Sequence, residues 1–121
     1  MNSEKGGRAL DLDVALAHVD GDWQFLAELS AMFLQDYPRL MEEAHDSIQQ
    51  KDHARLERAA HTLKGRLAFF GIHKLRERIL ELEMMGRNKD MTLASQTLAD
   101  VEAEMDPILP EFESLIREYG K

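Results

Sequence analysis

Leucine, isoleucine, valine, alanine and phenylalanine return every three or four positions along nearly the whole chain, and no stretch alternates apolar and polar residues. A period near 3.6 places those residues on one face of a helix, so the chain is confined to helices that bury their stripes against one another. Leu10–Val19 is expected to form a short first helix through Leu12, Leu16 and Val19. The turn Asp20–Asp22 offers a cap for a second helix, whose stripe runs Leu26, Leu29, Met32, Phe33, Leu40, Ala44 and Ile48. Pro38 falls inside that stripe and predicts a kink or a restart, with Asp36 available as a new cap. Asp52 heads a third helix with Leu56, Ala59, Ala60, Leu63, Leu67 and Phe70 inward, which Gly71 ends or bends. The fourth places Ile72, Leu75, Ile79 and Leu82 on one face and closes near Gly86. Asp90 is the expected cap of the last, which uses Leu93, Thr97, Val101, Met105 and Ile108, then Leu109, Phe112, Leu115 and Ile116. Pro107 and Pro110 should disrupt it.

Four long amphipathic helices with short turns predict an all-α fold, an antiparallel up-down four-helix bundle with a short additional N-terminal helix. A length of 121 residues suits one domain, read as residues 10–119 behind a flexible lead-in at 1–9. The methionines, including the Met84–Met85 pair, read as core filler. No run of about 18 apolar residues is present, so no membrane insertion is expected. The lead-in lacks the apolar stretch of a secretory signal. The absence of cysteine excludes disulfides, thiolate zinc sites and a cysteine nucleophile, and fits a cytoplasmic setting; a monomer is expected.

A net charge of −8 argues against nucleic acid as a partner. The distribution is uneven: from Lys51 to Arg78 eight basic residues face three acidic ones. The chain is an acidic body with one basic band.

Inside that band lies AAHTLKGRLAFFG, Ala59–Gly71. On a helical wheel Leu56, Ala59, Leu63, Leu67 and Phe70 gather on the side opposite His61, which puts the imidazole at the centre of the solvent face. Around it the face carries small residues, Ala54, Gly65 and Ala68, where a solvated helix would carry long charged ones. Glycine inside a helix costs about 1 kcal/mol relative to alanine. Clearing the ground around one imidazole lets another macromolecule reach the ring, and Lys64 and Arg58 flank the same patch. An imidazole nucleophile, a nearby ammonium and a steric clearing suit transfer of an anionic group between proteins. A phosphoryl group is the natural candidate, because its transfer needs in-line access and charge stabilisation above all. Glu57, one turn before His61, is placed to accept a hydrogen bond from Nδ1 and leave Nε2 as the nucleophile.

These residues resemble a known signature. HTLKG (His61–Gly65) followed by LAFFG (Leu67–Gly71) is similar to that of histidine-containing phosphotransfer (HPt) domains of two-component phosphorelays. The likeness extends to the opening helices, Asp13–Met41, and to LRERILELE, Leu75–Glu83, and spans residues 10 to 117. It implies a phosphocarrier with no kinase or ATP site and no cofactor of its own, Mg²⁺ being held by the partner. The implied partners are receiver domains and a hybrid sensor kinase, His61 carrying a phosphoryl group between receiver aspartates. Nε2 of His61 would take the phosphoryl group, Lys64 would hold its oxygens, and Gly65 would give a receiver room to dock. Glu83 matches a position where the family often has a polar residue beside the phosphohistidine, although a carboxylate there would repel the phosphoryl group. The alternative is a bundle that docks on receivers or kinases without carrying phosphate.

Two positions depart from the family pattern. Arg66 stands where a small residue is usual; it can obstruct a receiver, contact the receiver or the phosphate, or pair with an acid such as Glu83. Phe69 stands where a polar residue is frequent, and either packs on the next helix or anchors a receiver. His53, Glu57 and His61 share a helix row with metal-ligand spacing, but no second motif supplies convergent ligands, so no metal is expected. His18, His45 and His73 read as surface residues without partners.

Overall fold

The computed structural model describes residues 8–120. Among the described residues six helices follow one another: α1 Leu12–His18, α2 Trp23–Gln49, α3 His53–Phe69, α4 Arg76–Arg87, α5 Ala94–Met105 and α6 Leu109–Tyr119. α3 and α4 form the most extensive packed pair; α2 lies against α3, α5 and α6, and α5 against α4. The bundle is therefore four-sided, its fourth side shared by α5 and α6, with α1 laid across α2 and α3. Residues 1–7 of the expected lead-in lie outside the described residues. Ala9 belongs to the domain, since its amide and that of Leu10 donate to the Glu111 carboxylate at the head of α6.

The caps follow from the sequence. Asp11, Asp22 and Asp52 each accept backbone N–H groups in the first turns of α1, α2 and α3. α3 stops in a Schellman turn in which Gly71 N donates to Ala68 O and Ile72 N to Leu67 O. Gly71 takes φ 72°, and a Cβ there would meet Asp11 Cβ at 2.5 Å, so glycine is required twice over. Asp11 N donates to Phe70 O across this contact, which ties α1 to the end of α3.

Four expectations are corrected. α2 runs unbroken through Pro38, so the helix does not restart and Asp36 is not a cap. Asp90 does not cap a helix; it accepts from the Thr92 amide and hydroxyl, and α5 begins at Ala94 without a side-chain cap. Met32 and Leu93, assigned to buried stripes, are 59% and 64% exposed. The break near Pro107 is present, and Pro110 sits in the first turn of α6, where its missing N–H has no partner to lose.

The core joins the sides of the bundle. Phe33 of α2 stacks on Phe112 of α6 at 4.6 Å, and Phe70 meets Phe112 edge-on at 4.8 Å. Leu56, Leu63 and Leu67 of α3 are buried, which turns the opposite face of that helix outward.

Candidate functional site

His61 lies near the middle of α3 on that outward face, its side chain 69% exposed. One end of the ring is held. Nδ1 is 2.8 Å from Oε2 of Glu83, whose side chain is only 5% exposed. The other carboxylate oxygen of Glu83 accepts from Nζ of Lys64 at 2.6 Å. Burial alone would raise the Glu83 carboxyl, but hydrogen bonds and charge from Lys64 and His61 outweigh it and hold the group below its ordinary value. An ionised carboxylate has no proton to give, so Nδ1 is the donor in this bond. In the neutral ring the Nε2 lone pair is then free.

The approach of α4 makes this possible. One turn after Glu83, Gly86 is buried, and a Cβ there would meet His53 O at 2.6 Å and Glu57 N at 2.7 Å. With no side chain at Gly86 the two backbones come together, and Glu83 is set directly beneath His61. Glu57 is not the Nδ1 acceptor that its position one turn away suggested. Its Oε2 takes Nε of Arg87 at 2.9 Å, and Nη2 of Arg87 stands 3.8 Å from Glu83.

The other predicted residues separate into two groups. Gly65, Ala54, Ala68 and Arg58 are exposed, as the wheel requires. A Cβ added at Gly65 would meet nothing within 4 Å, so the fold itself places no demand for glycine there. Arg66 does not reach Glu83; its Nη1 pairs with Asp36 of α2. Phe69 stacks on His18 of α1 at 4.6 Å, and its carbonyl lies 3.0 Å from His18 Nδ1. His18 is thus not partnerless, nor is His45, whose Nε2 is 3.0 Å from Glu102. Part of the basic band is neutralised within the fold: Arg55 pairs with Glu43, and Arg78 with Asp100 and Glu104.

Hollows open on both sides of His61. Between α2 and α3 a groove of about 570 Å³ is floored by Leu29, Met32, Phe33 and Phe69. On the other side a smaller one is lined by Lys64, His73 and Arg76 among apolar neighbours. Among the described residues no three His, Asp or Glu side chains converge as a metal site, and no helix is long and apolar enough to cross a membrane.

Sequence reasoning missed Gly86 as a contact and Asp36 as the partner of Arg66. The signal for the first was available: a glycine one turn after a polar residue on an otherwise apolar helix face. Nothing local announces the second, because the pair spans thirty residues.

A family model described as the Hpt domain matches residues 28–111, which takes in α3, α4 and all the residues just placed around His61. Neither the comparison with curated proteins nor that with solved structures returned a match.

Proposed function

The chain belongs to the Hpt domain family, the histidine-containing phosphotransfer modules of two-component systems, and on that premise we propose that His61 is its phosphoryl carrier in a relay between receiver aspartates. Nε2 of His61 attacks the phosphorus of a receiver's aspartyl phosphate in line. The P–N bond forms as the P–O bond to the receiver breaks, and the receiver carboxylate leaves. The positive charge gathering on the imidazole is met at Nδ1–H by the Glu83 carboxylate. Lys64 turns its ammonium to the phosphoryl oxygens. The reverse sequence hands the group to the aspartate of a second receiver. Mg²⁺ and the acidic groups that activate the aspartate belong to the receiver, so this domain needs neither an ATP site nor a metal of its own. A hybrid sensor kinase carrying a receiver is the expected donor.

The observation that supports this reading best is the His61 ring itself, fixed at Nδ1 by a buried carboxylate while its Nε2 end is exposed beside empty space over Gly65. Incubation with a phosphorylated receiver should leave acid-labile, alkali-stable label on the wild type and none on His61→Gln. Label persisting in His61→Gln refutes the assignment. A domain that binds receivers yet never takes label is a docking module only.

A further inference from the structure

The α2–α3 groove beside His61 is bordered by the ion pair between Arg66 and Asp36. Beyond that pair lies a second depression, lined by Arg39, Glu42 and Glu43 and sharing Arg66 and Asp36 as its wall. The pair thus divides an apolar surface from a charged one. Both side chains remain partly exposed, 44% for Arg66 and 35% for Asp36. Ion pairs so exposed contribute little, so this one is easily parted and adds little to the fold. Asp36 has a second cation at hand, since Nη1 of Arg39 stands 3.9 Å from its other oxygen. Loss of Arg66 would not leave Asp36 alone.

We infer that Arg66 is the residue by which this domain selects among receivers: on docking over the groove it leaves Asp36 for a carboxylate on the receiver surface, and Arg39 takes its place at Asp36. The inference rests on the reading of His61 as phosphoryl carrier. The partner it fits is a receiver that presents an apolar patch to Leu29, Met32 and Phe69 and an acidic side chain to Arg66. A planar guanidinium one residue after the bare backbone of Gly65 can bind that carboxylate in bidentate fashion. A receiver with a basic residue at the same place meets like charge and is rejected, which is how rim charges discriminate. In the free domain Asp36 restrains Arg66 at the edge of the groove.

The two halves of the pair should therefore respond in opposite directions. Receivers from the same genome are phosphorylated with acetyl phosphate, and the one that labels the wild-type chain fastest serves as donor. Single-turnover transfer is followed against receiver concentration for the wild type, Arg66→Ala, Arg66→Glu and Asp36→Asn. Arg66→Ala should raise the half-saturating concentration about tenfold, and Arg66→Glu further, with the change falling on that concentration and not on the plateau rate. Asp36→Asn, which frees Arg66, should lower it. Replacing the matching receiver acid by lysine should restore transfer to Arg66→Glu. Equal losses in Arg66→Ala and Asp36→Asn, tracking equal losses in melting temperature, overturn the inference in favour of a structural pair. So does transfer indifferent to all three changes. A wild type that takes no label from any receiver, nor from phosphoramidate (a small P–N donor that needs no docking), defeats the carrier reading itself, and the selection role with it.

Discussion

Nδ1 of His61 and Oε2 of Glu83 meet at 2.8 Å, one atom facing solvent through its ring and the other almost wholly enclosed. This contact answers the objection that a carboxylate near a phosphohistidine repels the phosphoryl group. Glu83 lies beneath, on the nitrogen opposite the proposed phosphoryl acceptor, with the ring between its charge and the Nε2 end. Its second oxygen holds Lys64 at 2.6 Å. One buried acid thereby sets both the tautomer of the proposed nucleophile and the resting place of the proposed phosphoryl ligand.

Removing that acid should slow the chemistry even where no partner is involved. A hydrogen bond to a charged group is worth about 1.5–3 kcal/mol, so Glu83→Ala should cut the rate of His61 labelling by phosphoramidate about 10- to 100-fold. Glu83→Gln keeps an oxygen that accepts from Nδ1 and should lose less. A Glu83→Ala protein labelled at the wild-type rate would show that the contact orients nothing.

The same carboxyl predicts an acid limb of stability. Its folded value lies below the ordinary 4.5, because Lys64 and His61 prevail over burial. A group depressed in the fold stabilises it above its unfolded pKa, and that contribution disappears as pH falls through the folded one. Urea denaturation of the wild type and Glu83→Gln should give a stability difference that is constant above about pH 5 and shrinks in acid. A difference that keeps its full size down to about pH 3 contradicts the assignment.

Two helical glycines should respond in opposite ways to the same substitution. Gly86→Ala drives a Cβ to 2.6 Å from a backbone oxygen of α3, which no side-chain rotation relieves, and should destabilise by about 1–3 kcal/mol. Gly65→Ala meets nothing within the domain and should stabilise it by about 0.5–1 kcal/mol through helix propensity. Its effect should fall on receiver-dependent transfer, which slows while labelling by phosphoramidate continues. Thermal melts and transfer assays on the two variants decide this. A Gly65→Ala protein that is more stable and equally fast with its receiver would remove the docking role of the clearing.

The helical stripes, the caps Asp22 and Asp52 and the outward direction of His61 were legible because they depend on local spacing; the expected caps Asp36 and Asp90, and a single last helix, were not found. Leu56, Leu63 and Leu67 on one side of α3 oblige residue 61 to face the other. What periodicity could not supply was distance between helices. Glu57 looked like the partner of His61 because it is one turn away on the same helix, whereas Glu83 reaches the ring only because Gly86 lets α4 close on α3. Arg66 was recognised as a departure, yet its partner Asp36 belongs to a helix expected to kink or restart there, and in an unbroken α2 that carboxylate is free to look outward. Met32 fitted the apolar stripe and is exposed because the groove beside it is left unfilled by the described residues.

Glu57 gives the test that separates the local reading from the three-dimensional one. Its carboxylate holds Arg87 at 2.9 Å, and Arg87 stands 3.8 Å from Glu83, so the three form a short ladder along the α3–α4 seam. Removing Glu57 breaks an exposed ion pair that contributes little to the fold and leaves Arg87 able to close on Glu83. The His61–Glu83 bond is untouched by that change. Glu57→Ala should therefore be labelled by phosphoramidate within about twofold of the wild-type rate, a shift of roughly 0.4 kcal/mol or less in barrier height. A loss comparable to that of Glu83→Ala would restore Glu57 as the group that orients the ring.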